Sequence, residues 1–228
     1  MSKPDATILT GLTEQHLVRY QDAFSLHIAA AKPFALLCQA AAQRGFDIRI
    51  VSSFRSYQRQ AAIWHGKISG ARTVFDQAGT AVDITKLHGS TKLDAVLLYS
   101  ALPGASRHHW GTDIDIYDAA SVPQGYQPQL TPAEYGPDGP FYNLQQWLTN
   151  HAAEFDFFQP YQTYQGGVAA EPWHISYMPV AEDYLAHFTA DILHQCLLQH
   201  PLAEQQLVLQ YLDTIFDRYV CNVCRPDK

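Results

Sequence analysis

The feature that most restricts the fold is a short strand in the middle of the chain, in which charged and apolar residues alternate strictly. Residues 112–117 read TDIDIY, so Asp113 and Asp115 share one face while Ile114 and Ile116 share the other. The isoleucines predict contact with a core. The carboxylates then need a cation or hydrogen-bond donors beside them, because burying an unpaired charge costs several kcal/mol.

The segments around this strand indicate an α+β fold. Further strands are predicted at 46–53 and 173–178, and loops at 66–89 and 119–140. Helices are predicted at 13–44 with a break near Lys32–Pro33, at 57–65, 93–102 and 141–151, and at 180–219 with a division at Pro201. We therefore expect a small central antiparallel sheet flanked by helices, with additional helices at the C-terminus.

Length and composition favour a single domain over residues 1–228. The chain has 228 residues, of which 47% are hydrophobic, and this is enough for one sizeable core. Its net charge of -7 disfavours nucleic acid and anionic membranes as partners. No apolar run reaches the roughly 18 residues that a spanning helix needs, and the first residues do not resemble a secretory signal. The sequence therefore predicts a cytoplasmic protein.

The chain has four cysteines, and two of them, Cys221 and Cys224, form a CxxC near the C-terminus. A structural zinc site of four cysteines would need a second pair at similar spacing, which the sequence lacks. The four residues are therefore predicted to be ordinary thiols.

Two segments contain the residues that suit chemistry. In the first, SRHHWGTDIDIYD at 106–118, a turn at Gly111 could bring His108 and Asp115 to one point. The second is EPWH at 171–174, where Pro172 makes a helix unfavourable, so its acidic residue and its histidine are expected on a loop that enters a strand.

Together these segments predict a metal centre. Two imidazoles and one carboxylate, from His108, Asp115 and His174, are a typical ligand set for catalytic zinc, with water in the fourth position. Zinc lowers the pKa of that water to roughly 7, so a nearby carboxylate such as Glu171 can take its proton. By spacing alone, His109 remains an alternative to His108 as a ligand. Asp113 likewise remains an alternative to Asp115, because both lie on the same face of the strand.

The motifs resemble those of the VanY-type D-alanyl-D-alanine carboxypeptidases and related LAS metallopeptidases. That family has SxHxxGxAxD followed by ExxH in a PWH context, and an upstream SGYRSY..Q block. The matching residues are Ser106, His108, Gly111 and Asp115, then Glu171, Pro172, Trp173 and His174, and upstream Ser53, Phe54, Arg55, Ser56, Tyr57 and Gln60. The resemblance covers about 33–178, which leaves 180–228 as a C-terminal helical extension.

The resemblance implies a zinc peptidase that acts on peptidoglycan stem peptides or muropeptides. It favours His108, Asp115 and His174 as the ligands of one zinc ion, and Glu171 as the base. It also implies that Arg55, a further catalytic residue, holds the substrate carboxylate or carbonyl together with Gln60 and Ser106. The chain departs from the family at three positions: it has Arg107 where Glu is common, Asp113 where Ala is usual, and Ser176 where many relatives have Arg.

The expected cytoplasmic location bears on the choice of reaction. A D,D-carboxypeptidase there would destroy the pentapeptide precursor of the wall, whereas an L,D-carboxypeptidase would trim recycled tetrapeptides. We therefore predict removal of the terminal D-Ala from tetrapeptides in cell-wall recycling. The alternatives are a D,D-carboxypeptidase or D,D-dipeptidase, a phage-type endolysin, and an inactive protein that senses wall peptides.

Overall fold

A computed structural model describes residues 3–21 and 23–225. Its helices are α1 (Ala6–Leu9), α2 (Ile28–Ala42), α3 (Tyr57–Ile68), α4 (Gly89–Leu97), α5 (Pro132–Tyr135), α6 (Tyr142–His151), α7 (Met178–His187), α8 (Ala190–Gln199), α9 (Gln205–Gln210) and α10 (Leu212–Ile215). Its strands are β1 (Leu17–Tyr20), β2 (Phe24–His27), β3 (Ile48–Ser52), β4 (Val74–Phe75), β5 (Ala81–Val82), β6 (Asp113–Asp118), β7 (Phe157–Phe158) and β8 (His174–Tyr177).

The central sheet has four strands in the order β3-β6-β8-β7, and each neighbouring pair is antiparallel. The predicted α+β fold, with a small antiparallel sheet among helices, is therefore confirmed. Strand β6 lies in the interior of the sheet. The register sets Asp115 opposite Ser52 on one side and opposite His174 on the other. A shift of register between Ile50 and Ser52 bends β3 where it passes the carboxylate.

The prediction of helix from residue 13 is wrong for the first half of that segment. The chain instead forms an antiparallel hairpin of β1 and β2, with Leu17 opposite His27 and Tyr20 opposite Phe24. The sequences LVRY and FSLH carry the aromatic and β-branched residues that suit a half-buried strand. Helix α2 begins only after the hairpin, where the His27 side chain accepts a hydrogen bond from the Ala29 backbone N–H.

The predicted break at Lys32–Pro33 is also wrong, because Pro33 lies inside α2. Proline lacks the N–H that would donate to the carbonyl four residues earlier, so the helix loses one backbone hydrogen bond. The buried stripe formed by Ala30, Phe34, Leu37 and Ala41 continues across this position. We attribute the tolerance of Pro33 to the apolar area that this stripe removes from water.

Three other predicted segments differ in detail. The helix predicted at 93–102 begins earlier and ends earlier, as α4. The segment predicted as a loop at 66–89 contains the end of α3 and the small hairpin of β4 and β5. Within 119–140, Pro132–Tyr135 forms one helical turn, which a capping box between Thr131 and Glu134 stabilises.

The C-terminal region has more breaks than the division predicted at Pro201. Helix α7 ends where Phe188 becomes extended, and Thr189 then caps α8 by accepting a hydrogen bond from the Ile192 N–H. After Pro201 the chain forms α9, α10 and a π-helical segment, Phe216–Cys221. None of the four cysteines, which all lie in the described residues, forms a disulfide.

The central sheet and the C-terminal helices share one hydrophobic cluster. Ile114 and Ile116 of β6, Ile175 of β8, and Leu197 and Val208 of the C-terminal helices are all buried in it. The apolar face predicted for β6 therefore does meet the core. None of the helices in the described residues has both the length and the apolar character needed to cross a membrane.

Candidate metal centre

The turn before β6 places the first histidine beside the sheet. Arg107–Trp110 forms a short 3₁₀ helix that ends at Gly111, whose φ of 69° lies in the left-handed region. A Cβ at Gly111 would lie 2.4 Å from Leu17 Cδ2 and 2.8 Å from the His27 backbone nitrogen. Only glycine therefore fits this turn, which brings His108 next to the strand that carries Asp115.

The EPWH segment places the second histidine. It forms a turn, not a helix, as Pro172 predicts, and β8 begins at His174. In the register of β6 and β8, His174 pairs directly with Asp115, and side chains opposite each other on one face of a sheet lie close together.

Ligand atoms of His108, Asp115 and His174 lie within 4.8 Å of one another, and all three residues are buried. His108 Nε2 is 3.3 Å from Asp115 Oδ2, and His174 Nδ1 is 3.4 Å from Asp115 Oδ1. His108 Nε2 and Asp115 Oδ1 are buried without a hydrogen-bond partner. Buried polar atoms normally have partners. Two such atoms converging with a third ligand therefore fit a zinc ion.

The tautomer of His108 also suits a metal. Its Nδ1 lies 2.8 Å from the Ser53 carbonyl oxygen. That oxygen can only accept a hydrogen bond, so Nδ1 carries the proton and Nε2 offers its lone pair. Burial lowers the pKa of His108, and the nearby Arg55 guanidinium lowers it further, which favours loss of the second ring proton.

The two alternatives that spacing left open lie elsewhere. His109 donates from Nδ1 to the Arg55 carbonyl at 2.6 Å and accepts at Nε2 from the Gly104 N–H at 3.1 Å, so neither of its nitrogens is available. Asp113 receives hydrogen bonds at both oxygens, including one from Arg107 Nε at 2.8 Å. The structure therefore groups His108, and not His109, with Asp115 and His174.

The charges of the residues in this centre strongly affect one another's pKa values. Burial acts to raise the pKa of Asp115, but attraction to His108 and His174 lowers it to about 2. Burial likewise acts to lower the pKa of His174, while hydrogen bonds with Asp113 and Glu171 raise it to about 9. The centre therefore holds ionised carboxylates beside an imidazole that gives up a proton when it binds a metal.

Glu171 lies at the edge of this group. Its Oε2 is 3.0 Å from His174 Nδ1. Its backbone is fixed on two sides, because Glu171 N–H donates to the Tyr161 carbonyl and Glu171 carbonyl accepts from His174 N–H. The Tyr161 ring packs edge-on against the His174 ring, with centroids 5.0 Å apart. The carboxylate is thus held within reach of the space between the ligands.

Arg55 lies on the turn between β3 and α3, next to His108 of the candidate metal centre. Its backbone N–H donates to the His108 carbonyl at 3.1 Å. Its Nη1 donates to Gln60 Oε1 at 3.1 Å, while its Nε is buried without a partner. The Gln60 amide also donates to the Ala101 carbonyl at 2.7 Å, so both ends of this amide are used within the protein. Ser106 is buried at the start of the 3₁₀ helix.

Sequence reasoning named Arg107 and Ser176 only as departures from the family, named Asp113 both as a departure and as an alternative ligand, and missed Tyr161. In the structure the first three form one buried network behind His174. The signal that could have found it is the alternation of β6, which puts both aspartates on the face of the histidine. The contacts themselves depend on the pairing of Asp113 with Ser176, and spacing does not determine that pairing.

Comparison with known proteins agrees with this geometry. The family described as "VanY: D-alanyl-D-alanine carboxypeptidase" matches residues 23–180. An uncharacterized protein of Haemophilus influenzae is 38% identical over 121 residues, which are 52% of this chain and 92% of that protein. A second uncharacterized protein of the same organism is 40% identical over 99 residues, 42% of this chain and 68% of that protein.

Two solved structures share the fold. VanYB in complex with D-alanine-D-alanine has a TM-score of 0.53 at 19% identity, covering 87% of this chain and 88% of that one. A mutant of the vancomycin resistance D,D-pentapeptidase VanY in complex with Zn(II) has a TM-score of 0.52 at 18% identity, covering 79% and 92%. Because the family match spans more than half of the sequence, the chain belongs to the VanY D-alanyl-D-alanine carboxypeptidases, a family of zinc metallopeptidases.

Proposed function

We propose that this protein is a zinc carboxypeptidase that removes the terminal D-Ala from peptidoglycan tetrapeptides, as an L,D-carboxypeptidase in cytoplasmic wall recycling. The observation that carries the carboxypeptidase assignment is Arg55. Its guanidinium has a buried Nε without a partner, and its backbone is bonded to His108. A cation with free donors beside a metal centre suits a substrate that ends in a carboxylate.

The residues divide the work between them. His108, Asp115 and His174 would hold the zinc, which when bound supplies a Lewis acid and lowers the pKa of water. Glu171 takes the proton of the attacking water and returns it to the departing amine of D-Ala. Arg55 binds the substrate carboxylate, and Gln60 fixes the orientation of Arg55 through a hydrogen bond. Ser106 lies at the start of the 3₁₀ helix that contains His108.

The preference for tetrapeptides rests on the proposed location. In the cytoplasm, hydrolysis of the pentapeptide precursor would remove the substrate of wall synthesis, whereas trimming of recycled tetrapeptides would leave that precursor intact. A D,D-carboxypeptidase is the second candidate. It is favoured by the description of the family and by the D-alanine-D-alanine bound to the VanYB structure.

Mass spectrometry of zinc-loaded protein incubated separately with tripeptide, tetrapeptide and pentapeptide muropeptides tests the proposal. We expect tetrapeptide to lose one D-Ala faster than pentapeptide does, and tripeptide to stay intact. The matched control is Glu171→Gln protein in the same reactions. A clear preference for pentapeptide would replace the L,D proposal with the D,D candidate. Cleavage inside the stem would indicate an endopeptidase, and binding without cleavage would indicate a sensor.

A further inference from the structure

A closed network of buried polar groups lies on the far side of His174 from the other two ligands. Arg107 Nε donates to Asp113 Oδ1 at 2.8 Å, and Arg107 Nη2 donates to Ser176 Oγ at 2.7 Å. Ser176 Oγ donates to Asp113 Oδ2 at 2.9 Å, and Thr112 Oγ1 donates to the same oxygen at 2.6 Å. The network contacts His174 at one point, where His174 Nε2 lies 2.9 Å from Asp113 Oδ1.

Fold stability alone is a weak reason for such a network. The side chains of Arg107 and Asp113 are only 3% and 0% exposed. Moving two charges out of water costs several kcal/mol, and apolar residues of similar volume often stabilise a protein equally well. The network also contains the three departures from the family, Arg107, Asp113 and Ser176, which form one physical unit in this chain.

The contact with His174 gives the network a specific effect. A carboxylate can only accept from a ring nitrogen, so Nε2 donates its proton to Asp113. Nδ1, which lies 3.0 Å from Glu171 and 3.4 Å from Asp115, is then the nitrogen that gives up its proton to a metal. The hydrogen bond also fixes the rotation of the ring. Histidines that bind metals usually donate their other ring N–H to a carboxylate or a carbonyl, and this contact raises their basicity as ligands.

Asp113 itself has no oxygen free for a metal. Its Oδ1 receives Arg107 and His174, and its Oδ2 receives Thr112 and Ser176. The group of possible ligands in the described residues accordingly contains Asp115 and not Asp113. His108 differs from His174 in this respect, because its Nδ1 donates to the neutral carbonyl of Ser53.

We propose that Asp113 is a positioning residue that orients His174 for zinc, and that Arg107 and Ser176 hold Asp113 in place for this task. The proposal rests on the metal site of the proposed function. It assigns to this chain a carboxylate–histidine–zinc arrangement whose carboxylate stands where the family usually has alanine.

The test compares Asp113→Asn with Asp118→Asn. Asp118 is the matched control because it is a buried aspartate on β6 outside the metal centre, and its carboxylate accepts from the backbone N–H groups of Asp47 and Ala120. Zinc affinity is measured by competition with a chelator, without substrate. We expect Asp113→Asn to bind zinc about 10- to 100-fold more weakly, and Asp118→Asn to bind it as the unaltered protein does.

Replacing zinc with cobalt gives a second measurement. This measurement would not change if Asp113 had only a structural role. The visible absorption of the cobalt form should shift in Asp113→Asn, because the ligand field at His174 changes, and should stay unchanged in Asp118→Asn. If Asp113→Asn does not fold because Arg107 is left unpaired, the double variant R107Q/D113N removes both charges and is measured in its place.

Unchanged zinc affinity and an unchanged cobalt spectrum in the Asp113 variant would overturn the proposal. Complete loss of metal would also overturn it, since Asp113 would then be a ligand. These results are distinguishable from a failure of the proposed function. Protein that binds zinc through an Asp113-dependent site but cleaves no muropeptide would refute the function alone.

Discussion

The two halves of the site are built differently. In the metal half, His108, Asp115 and His174 are placed by a glycine turn and by the register of the central sheet, and each histidine is oriented by a hydrogen bond of about 2.8–2.9 Å. The second half contains Arg55, and we call it the carboxylate half because Arg55 is proposed to bind the substrate carboxylate. Arg55 lies on a turn and has one side-chain hydrogen bond, to Gln60. The difference shows that the candidate ligands are held in place by the protein, whereas the buried Nε of Arg55 has no hydrogen-bond partner in the described residues.

The halves also depend on different parts of the chain. Helix α3, which follows Arg55 and contains Gln60, is bonded to the C-terminal region: Tyr57 Oη donates to the His200 carbonyl at 2.6 Å and Trp64 Nε1 to the Ala203 carbonyl at 2.9 Å. Of the candidate metal ligands, Asp115 and His174 lie on strands of the central sheet, and His108 lies on the 3₁₀ helix just before β6. The C-terminal region therefore stabilises the carboxylate half through its hydrogen bonds to α3. The resemblance to the family had left this region as an extension.

The largest effect is expected from Glu171→Gln, which should separate catalytic turnover from zinc binding. The amide keeps the size of the side chain but cannot accept the proton, so turnover should fall by about 10²–10⁴-fold, the usual contribution of a general base. Zinc content should stay at the level of the unaltered protein. Kinetics on tetrapeptide and metal analysis of the same sample check this. Loss of zinc would instead make Glu171 a ligand or a part of the fold.

A smaller effect is expected from Arg55→Lys, which keeps the charge but loses one of two parallel hydrogen bonds to a carboxylate. A hydrogen bond to a charged group contributes about 1.5–3 kcal/mol, so kcat/KM on the free-acid tetrapeptide should fall by roughly 10- to 100-fold. The exposed Arg59 on α3, the helix that follows Arg55, provides the control, Arg59→Lys.

The C-terminally amidated tetrapeptide should be a poor substrate for the unaltered protein, and Arg55→Lys should change its hydrolysis little. An equal loss of kcat/KM on the free-acid and the amidated peptide would show that Arg55 does not bind the C-terminal carboxylate. Rapid cleavage of the amidated peptide would indicate an endopeptidase.

The smallest effect is expected from Tyr57→Phe, which removes the hydrogen bond to the His200 carbonyl. The free energy of unfolding should fall by about 1 kcal/mol, the typical net contribution of one hydrogen bond. Zinc affinity should not change. Urea unfolding and chelator competition measure the two quantities, with Tyr142→Phe, a half-buried tyrosine on α6, as the control. Weakened zinc binding would contradict the separation of the halves.

The metal half was easier to predict from the sequence than its surroundings. Period-two alternation determines which face Asp115 occupies. Gly111 permits a left-handed turn and Pro172 disfavours a helix, so the two loops could be predicted. The hairpin of β1 and β2 was missed because its strands have four residues each, too few to distinguish a strand period from a helical one. Pro33 misled the prediction because burial of α2 outweighs one lost hydrogen bond.

The network behind His174 could not be predicted because it joins two segments that are far apart in sequence. Arg107 and Ser176 are 69 positions apart and meet only through the pairing of β6 with β8. Sequence spacing shows that Asp113 and Asp115 share a face, but the two have different neighbours on the adjacent strand. Those neighbours, Ser176 and His174, decide which aspartate accepts hydrogen bonds and which remains available to a metal.

Zinc analysis of ligand variants tests the central claim most directly. Protein purified without chelator should hold about one zinc per chain, and His108→Ala, Asp115→Ala and His174→Ala should each lose most of it. The control is His109→Gln, which changes the neighbouring buried histidine and should keep its zinc if it folds. Zinc that stays in His108→Ala and Asp115→Ala but is lost from folded His109→Gln would contradict the assignment of the metal centre.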